Sequence, residues 1–259
     1  MGIVTRPTLA GHMVVGSVAD PEADRATDST VPRIRVLTFN IRHGLGLDGR
    51  QDLERTARVL RELAPDIAGL QEVDEDAERS GGIDQAAWLA GALGVRFASA
   101  PARGRRAHER VALLSRHPIG GAEVRWFWDG GGRGEPRGAD VAAGATSAGP
   151  VRCAVAHLST RPVERARERR ALAAMMASLP GPALLFLDAN SAHLAPLERA
   201  AGLRPPPGRP PATFPAERPS KPVDWVLARE PARHLEPAWT PERETSSDHL
   251  PLLAVVGWG

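Results

Sequence analysis

Six short apolar runs, each with polar residues at one end, are the feature that most constrains how this chain can fold. Four of the runs end in polar residues, and the last two begin with them. If the last two strands run opposite to the first four, these polar residues meet at one edge of the sheets. The residues concerned are Asn40, Glu72, His157, Asp188, Asn190, Asp224, Asp248 and His249.

Helical segments alternate with the early runs, and a hairpin occupies the middle of the chain. Apolar periods, together with proline and glycine boundaries, predict helices over residues 52–64, 85–93 and 162–179. Alternating apolar residues predict a hairpin formed by residues 139–145 and 151–158. Residues 126–138 are rich in glycine, and we expect a loop there. This order predicts an α/β fold with mixed sheets.

The first part of the chain lacks a helical or strand period. We therefore expect residues 1–31 to be a disordered extension ahead of one domain at residues 32–259. The short apolar stretch within the extension is broken, which makes a poor signal peptide, so we expect a cytoplasmic protein, with secretion as the alternative. No apolar run is long enough for stable membrane insertion, and we expect a monomer.

Composition excludes several other classes of protein. The formal net charge is only +2 and there is one lysine, Lys221, so no broad cationic field demands nucleic acid. Cys153 is the single cysteine, which excludes a disulfide framework and a cysteine-based zinc cluster. By strand alternation, Cys153 is predicted to be a small core residue.

The gathered polar residues are carboxylates, amides and imidazoles. Carboxylate and amide oxygens suit a hard cation such as Mg²⁺ or Mn²⁺. A metal held by acids beside two imidazoles suits phosphoester hydrolysis. The metal neutralises phosphate charge, one group aligns a water, and another stabilises or protonates the leaving oxygen.

Short motifs in a fixed order resemble the endonuclease/exonuclease/phosphatase superfamily from about residue 33 to the end. The segments that carry the resemblance are Thr38-Phe39-Asn40-Ile41, Leu70-Gln71-Glu72-Val73, Ala156-His157-Leu158, Leu187-Asp188-Ala189-Asn190, Val223-Asp224-Trp225 and Ser247-Asp248-His249. The chain is most similar to the small bacterial hydrolases of this group. It departs from the usual pattern at Ala189, at residues 108–110 and in having no tyrosine.

The resemblance implies a four-layer α/β/β/α sandwich with two mixed sheets. It also implies a metal site in which Glu72 is the principal ligand, with Asn40 beside it and Asp248 supporting the metal shell.

The catalytic roles implied by the resemblance fall on five residues. Asp188 and Asn190 would align the attacking water and the phosphate. His249, oriented by Asp224, would contact the scissile phosphate or act as a base. His157 would stabilise the transition state or the leaving group.

Substrate identity is less constrained by the sequence. Asp84 and Arg137 are candidates for substrate binding, and arginines in predicted loops could clamp one compact anion: Arg103, Arg105, Arg106, Arg133 and Arg137. We therefore expect a phosphoesterase acting on a small or terminal phosphoester. The alternatives are a DNA or RNA nuclease of the same superfamily, with nucleic acid as partner, and a non-catalytic binding module.

Overall fold

The structure, a computed structural model, describes residues 31–102, 108–129 and 137–259. The first strands are β1 (Ile34–Asn40), β2 (Ile67–Asp74), β3 (Arg96–Pro101), β4 (Glu109–Ser115), β5 (Ile119–Trp128) and β6 (Arg137–Thr146). The later strands are β7 (Gly149–His157), β8 (Ala183–Asp188), β9 (Asp224–Arg229), β10 (Arg233–His234) and β11 (Leu252–Gly257). The described helices are α1 (Leu53–Leu63), α2 (Gln85–Leu93), α3 (Pro162–Ala177) and α4 (Ala195–Ala201).

The described strands form two mixed sheets. One has the order β10-β11-β1-β2-β4-β3, and the other has the order β5-β6-β7-β8-β9. β1 is parallel to β2 and β7 is parallel to β8, whereas β11 is antiparallel to β1 and β9 is antiparallel to β8. The last strand of each sheet therefore runs opposite to its neighbour. The end of one strand and the start of the next meet at the same sheet edge.

Three apolar layers hold the sandwich together. Inward side chains of both sheets, including Cys153 and Phe186, form the core between the sheets. A second cluster packs α1 and α2 on the outer face of the first sheet, and a third packs α3 and α4 on the second. The predicted α/β/β/α arrangement is confirmed. Among the described helices, none has the length and apolar character needed to cross a bilayer.

Local sequence explains where the first two helices begin and end. The side chain of Asp52 accepts hydrogen bonds from the backbone N–H groups of Glu54 and Arg55, and Ala64 ends α1 in the left-handed region. Asp84 caps α2 by accepting from the N–H of Ala87, and Gly94 ends that helix. Both helices follow the predicted boundaries to within one residue.

The sheets approach most closely at Gly69 of β2. A Cβ built there would lie 2.2 Å from Cβ of Phe186 in β8, so a side chain at this position cannot be accommodated without moving the sheets. Phe186 is fully buried and occupies the space that glycine leaves. This contact sets the local spacing of the two sheets.

The structure corrects part of the loop expected at residues 126–138. Trp126, Phe127 and Trp128 form the end of strand β5, because aromatic residues favour extended backbone and β6 supplies a partner. Residues 130–136, like the extension at residues 1–30, lie outside the described residues.

Candidate active site

Asn40, the last residue of β1, links the two sheets. Its side-chain Nδ2 donates to Oε1 of Glu72 at 2.9 Å and to Oδ2 of Asp188 at 3.0 Å. Glu72 belongs to the first sheet and Asp188 to the second. One buried amide therefore fixes two carboxylates across the gap between the sheets.

Glu72 is turned toward this gap by an irregularity in β2. The pairing of β2 with β4 shifts between Leu70 and Val73, and Glu72 has a φ of 52°. Left-handed backbone is costly for a residue with a Cβ and is often found at functional sites. The bulge re-aims the carboxylate at the sheet edge.

Three acidic or imidazole side chains form a row across the second sheet. Strand pairing places His157 of β7 beside Asp188 of β8, and Asp188 beside Asp224 of β9. Oδ2 of Asp188 lies 3.4 Å from Nε2 of His157 and 3.9 Å from Nε2 of His249. Asp188 therefore lies between two imidazoles.

His249 is held from several sides. Its Nδ1 lies 2.8 Å from Oδ2 of Asp224, and its backbone N–H donates to Oγ of Ser247. Ser247 in turn donates from Oγ to the carbonyl of Asn40, and the Phe214 ring lies 4.8 Å from the imidazole. Burial lowers the pKa of His249, but the carboxylates, Asp224 foremost, outweigh burial and raise the pKa to about 10.

His157 has a similar pairing with an acid that the sequence analysis did not identify. Its Nδ1 lies 3.7 Å from Oε1 of Glu109, which begins β4. Burial lowers the pKa of His157, but Asp188, Glu109 and Glu72 together raise it to about 9. The usable signal for Glu109 was its place at the start of an apolar run, as for Asp224.

Asn190 lies beside the same imidazole in the loop after β8. Its Nδ2 lies 3.2 Å from Nε2 of His157 and donates to the carbonyl of Leu158 at 2.9 Å. Its backbone N–H donates to Oδ1 of Asp188, and its φ of 47° lies in the left-handed region that asparagine tolerates.

These groups surround one cleft of about 290 Å³. It is lined by Glu72, Glu109, Arg137, His157, Leu158, Thr160, Asp188, Asn190, Phe214, Asp248 and His249. Arg137 is 7% exposed, and its Nε donates to Oε1 of Glu168 at 3.1 Å. Asp248 lies at the rim, with Oδ2 3.6 Å from Nε of Arg42.

The donor set of the cleft fits a hard divalent cation. Glu72 and Asp188 accept from the same amide, which brings two carboxylates to one part of the cleft where a cation would be attracted by both. Among the described residues, ligand atoms of Asp188, Asp224 and His249 lie within 4.8 Å of one another, and Oδ1 of Asp224 has no hydrogen-bond partner. Oxygen-rich sites of this kind suit Mg²⁺ or Mn²⁺ better than soft metals.

A family model described as "Endonuclease/Exonuclease/phosphatase family" matches residues 37–249, which include Asn40 and all the described residues that line the cleft. The chain belongs to the endonuclease/exonuclease/phosphatase family. Family members are hydrolytic phosphoesterases that depend on divalent metals, which supports a catalytic role here. No curated protein matches the sequence.

Several solved structures share the fold. A Beutenbergia cavernae family protein is 23% identical with a TM-score of 0.73, covering 88% of this chain and 72% of its own. A Bacteroides thetaiotaomicron mannosyl-6-phosphatase is 16% identical with a TM-score of 0.65, and the match covers 86% of this chain and 99% of that protein. Truncated Caenorhabditis elegans TDP2 is 18% identical with a TM-score of 0.64, and the match covers 88% of this chain and 98% of that protein. These likenesses concern the fold.

Two sets of predicted substrate-binding residues have different positions. Arg137 lines the cleft, whereas Asp84 is the N-cap of α2 and does not belong to the cleft lining. The other four arginines proposed as a clamp lie outside the described residues: Arg103, Arg105, Arg106 and Arg133. Phe214 is a cleft residue that the sequence analysis did not single out, because it lies in a proline-dense segment without strand or helix pattern.

Proposed function

We propose that this protein is a Mg²⁺- or Mn²⁺-dependent phosphoric ester hydrolase that acts on a small or terminal phosphoester. The observation that carries the proposal is the position of Asp188 between His157 and His249, each of which has a further carboxylate at its other ring nitrogen. Such an arrangement provides a group that orients water and two imidazoles that can donate protons.

The proposed metal ligands are Glu72, with Asn40 beside it, and Asp248 at the rim. Asp188 is near enough to this set to share an amide with Glu72. When bound, the metal would supply Lewis-acid polarisation of a phosphoryl oxygen and neutralise its charge.

The residues of the chain have separate roles in the proposed reaction. Asp188 and Asn190 orient the attacking water, and Asp188 accepts its proton. Asp224 fixes the ring of His249, whose Nε2 then faces the phosphoryl group. His157 carries a proton toward the leaving oxygen, because the nearby carboxylates favour its protonated form. Glu109 lies 3.7 Å from the opposite nitrogen of that ring and stabilises its positive charge.

A compact substrate agrees with the cleft and with the charge of the chain. The cleft has a volume of about 290 Å³, and the described guanidinium in its lining is that of Arg137. A groove for duplex nucleic acid normally offers many phosphate contacts. Glu109 would add repulsion for a long polyanion close to the reacting phosphate.

Metal dependence and substrate class are tested together. Chelator should abolish hydrolysis of small phosphoesters, and Mg²⁺ or Mn²⁺ should restore it. Glu72→Gln should lower kcat by at least about 100-fold while the far-ultraviolet circular dichroism stays unchanged. Full activity in excess chelator would exclude the proposed mechanism, and absence of turnover under all metal conditions would favour a non-catalytic binding module.

A nuclease of the same family is the second candidate, because the family name includes such enzymes. Salt separates the two. A nuclease that spans several phosphates should show a KM that rises steeply with salt, whereas a site for one phosphate should respond weakly. Rapid cleavage of plasmid or abasic duplex, with that salt dependence and no turnover of small phosphoesters, would replace the first proposal.

A further inference from the structure

We propose that Glu168 is a positioning residue that holds Arg137 ready to bind the phosphoryl oxygens of the substrate. The inference rests on the proposed function and deepens it at Arg137, the described guanidinium of the cleft lining. Glu168 lies on α3, outside the second sheet, and it was not one of the motif residues of the sequence.

Glu168 accepts hydrogen bonds from Arg137 and from the backbone of Ser159. Its side chain is 2% exposed, Oε1 accepts from Nε of Arg137 at 3.1 Å, and Oε2 accepts from the backbone N–H of Ser159 at 2.6 Å. Both carboxylate oxygens are therefore used, and the two bonds fix the plane of the carboxylate. Ser159 follows His157 by two residues, so the same carboxylate ties Arg137 to the end of a catalytic strand.

A contribution to folding stability is a weak explanation for the buried ion pair between Arg137 and Glu168. Removing two charges from water is expensive, and a buried ion pair is often no more stabilising than apolar residues of the same size. A buried guanidinium fixed through Nε keeps its two Nη nitrogens in a defined plane. Among the described residues, Glu168 is the hydrogen-bond partner recorded for the Arg137 side chain, and Arg137 lines the cleft.

The geometry of the guanidinium indicates which ligand it binds. Two Nη nitrogens in one plane match two oxygens of a single phosphoryl group. Because the ion pair sets this plane before substrate arrives, less side-chain freedom is lost on binding. Glu168 therefore acts through Arg137 and makes no contact with the reacting atoms.

A double-mutant cycle tests the inference. Glu168→Gln, Arg137→Gln and the double variant are compared with the wild type by calorimetric titration with inorganic phosphate, and by kcat and KM for 4-nitrophenyl phosphate. Glu168→Gln should weaken phosphate binding and raise KM by roughly tenfold or more, with a smaller effect on kcat. The double variant should bind phosphate no more weakly than Arg137→Gln alone.

Two further variants guard against a purely structural effect. Glu164 lies one turn earlier on α3; it accepts from Oγ of Ser159 and makes no hydrogen bond to Arg137, although the charge of Arg137 reaches it. Glu164→Gln should therefore weaken phosphate binding much less than Glu168→Gln. Glu168→Asp keeps the charge and should retain more phosphate affinity than Glu168→Gln, even if both are less stable to heat.

Each outcome decides a separate question. Additive losses in the double variant, unchanged phosphate affinity in Glu168→Gln, or failure of the wild type to bind phosphate would overturn the role of Glu168. Phosphate binding that follows the cycle, without hydrolysis of any phosphoester, would leave Glu168 as a positioning residue and overturn the proposed function.

Discussion

Both histidines of the cleft contact a carboxylate that comes from a different strand. Asp224 begins β9 and lies against His249, whereas Glu109 begins β4 and lies near His157. In each pair the acid lies on the Nδ1 side of the ring, at hydrogen-bond distance for Asp224 and 3.7 Å away for Glu109, and Nε2 lies on the side of Asp188. The protonation of each histidine therefore depends on its neighbouring acid.

The first prediction concerns the pair Asp224 and His249. Asp224→Asn and His249→Ala should each lower kcat by at least about 100-fold. The first removes the acid that orients the imidazole and favours its protonated form, and the second removes the imidazole itself. The double variant should be little worse than the worse single variant, since the residues act as a unit. Steady-state kinetics on one phosphoester measures this, and losses that add in log rate would show independent action.

The second prediction concerns Asp140, a buried acid outside the cleft lining. Burial raises the pKa of Asp140 to about 7, and the charge of Arg110 only partly opposes this. Between pH 3.8 and about 7, Asp140 therefore keeps its proton in the folded protein, whereas the same carboxyl group has released it in the unfolded chain. The stability that this proton contributes is complete below about pH 3.8 and is lost as pH rises toward 7.

Asp140→Asn should accordingly be more stable than the wild type at pH 8, by on the order of 1–3 kcal/mol, with little advantage near pH 4.5. Thermal unfolding at the two pH values measures the difference. Glu217→Gln changes an exposed carboxyl and serves as the control, since it should show no such dependence. An equal effect of Asp140→Asn at both pH values would contradict the assignment.

Strand positions determine the spacing and aim of the site. Gly69 of β2 permits contact with Phe186 of β8, and the shift two to three residues later turns Glu72 toward Asn40. The position of Glu72 at the cleft therefore depends on one strand, β2. This strand is close-packed at Gly69 and irregular between Leu70 and Val73.

The third prediction tests the close contact. Gly69→Ala should destabilise the protein by about 3 kcal/mol, because its Cβ would overlap Phe186. Gly120→Ala in β5 is the matched control, since a Cβ there meets nothing within 4 Å, and its effect should stay within about 0.5 kcal/mol. Urea unfolding measures both variants. Similar stabilities would mean that the sheets adjust without cost.

The elements that sequence predicted well are those with a complete local pattern. α1 and α2 have caps and an apolar period, and β1 is a continuous run of strand-forming residues. The edge strands β3 and β5 were missed or cut short, because edge residues are half exposed and do not alternate clearly.

The members of the candidate site could be predicted wherever a polar residue ended or began an apolar run in family order. What could not be predicted is the bulge that gives Glu72 its backbone conformation, because pairing partners decide it. Glu168 was also hidden, since its neighbours on α3 include many arginines and an isolated helical acid gives the pattern of a solvated face.

At the scale of the whole molecule, residues 31–259 contain the three core clusters and the cleft lining, as far as the structure describes them. The fourth prediction is that removing residues 1–30 leaves the melting temperature and the rate of hydrolysis unchanged. Differential scanning calorimetry and kinetics on both forms check it. A clear fall in either quantity would show that residues 1–30 contribute to the stability or the activity of the protein.

The bond from Asn40 to Asp188 joins halves of a site that belong to different sheets. Among the described strands none pairs across the two sheets, so apart from bonds such as this one their alignment is maintained by apolar contacts. The rate of the proposed reaction should therefore depend on how the core between the sheets is packed. Conservative exchanges of aliphatic side chains between the sheets, far from any reacting atom, should tune turnover continuously, which gives natural variation a route to altered activity that leaves all the chemistry in place.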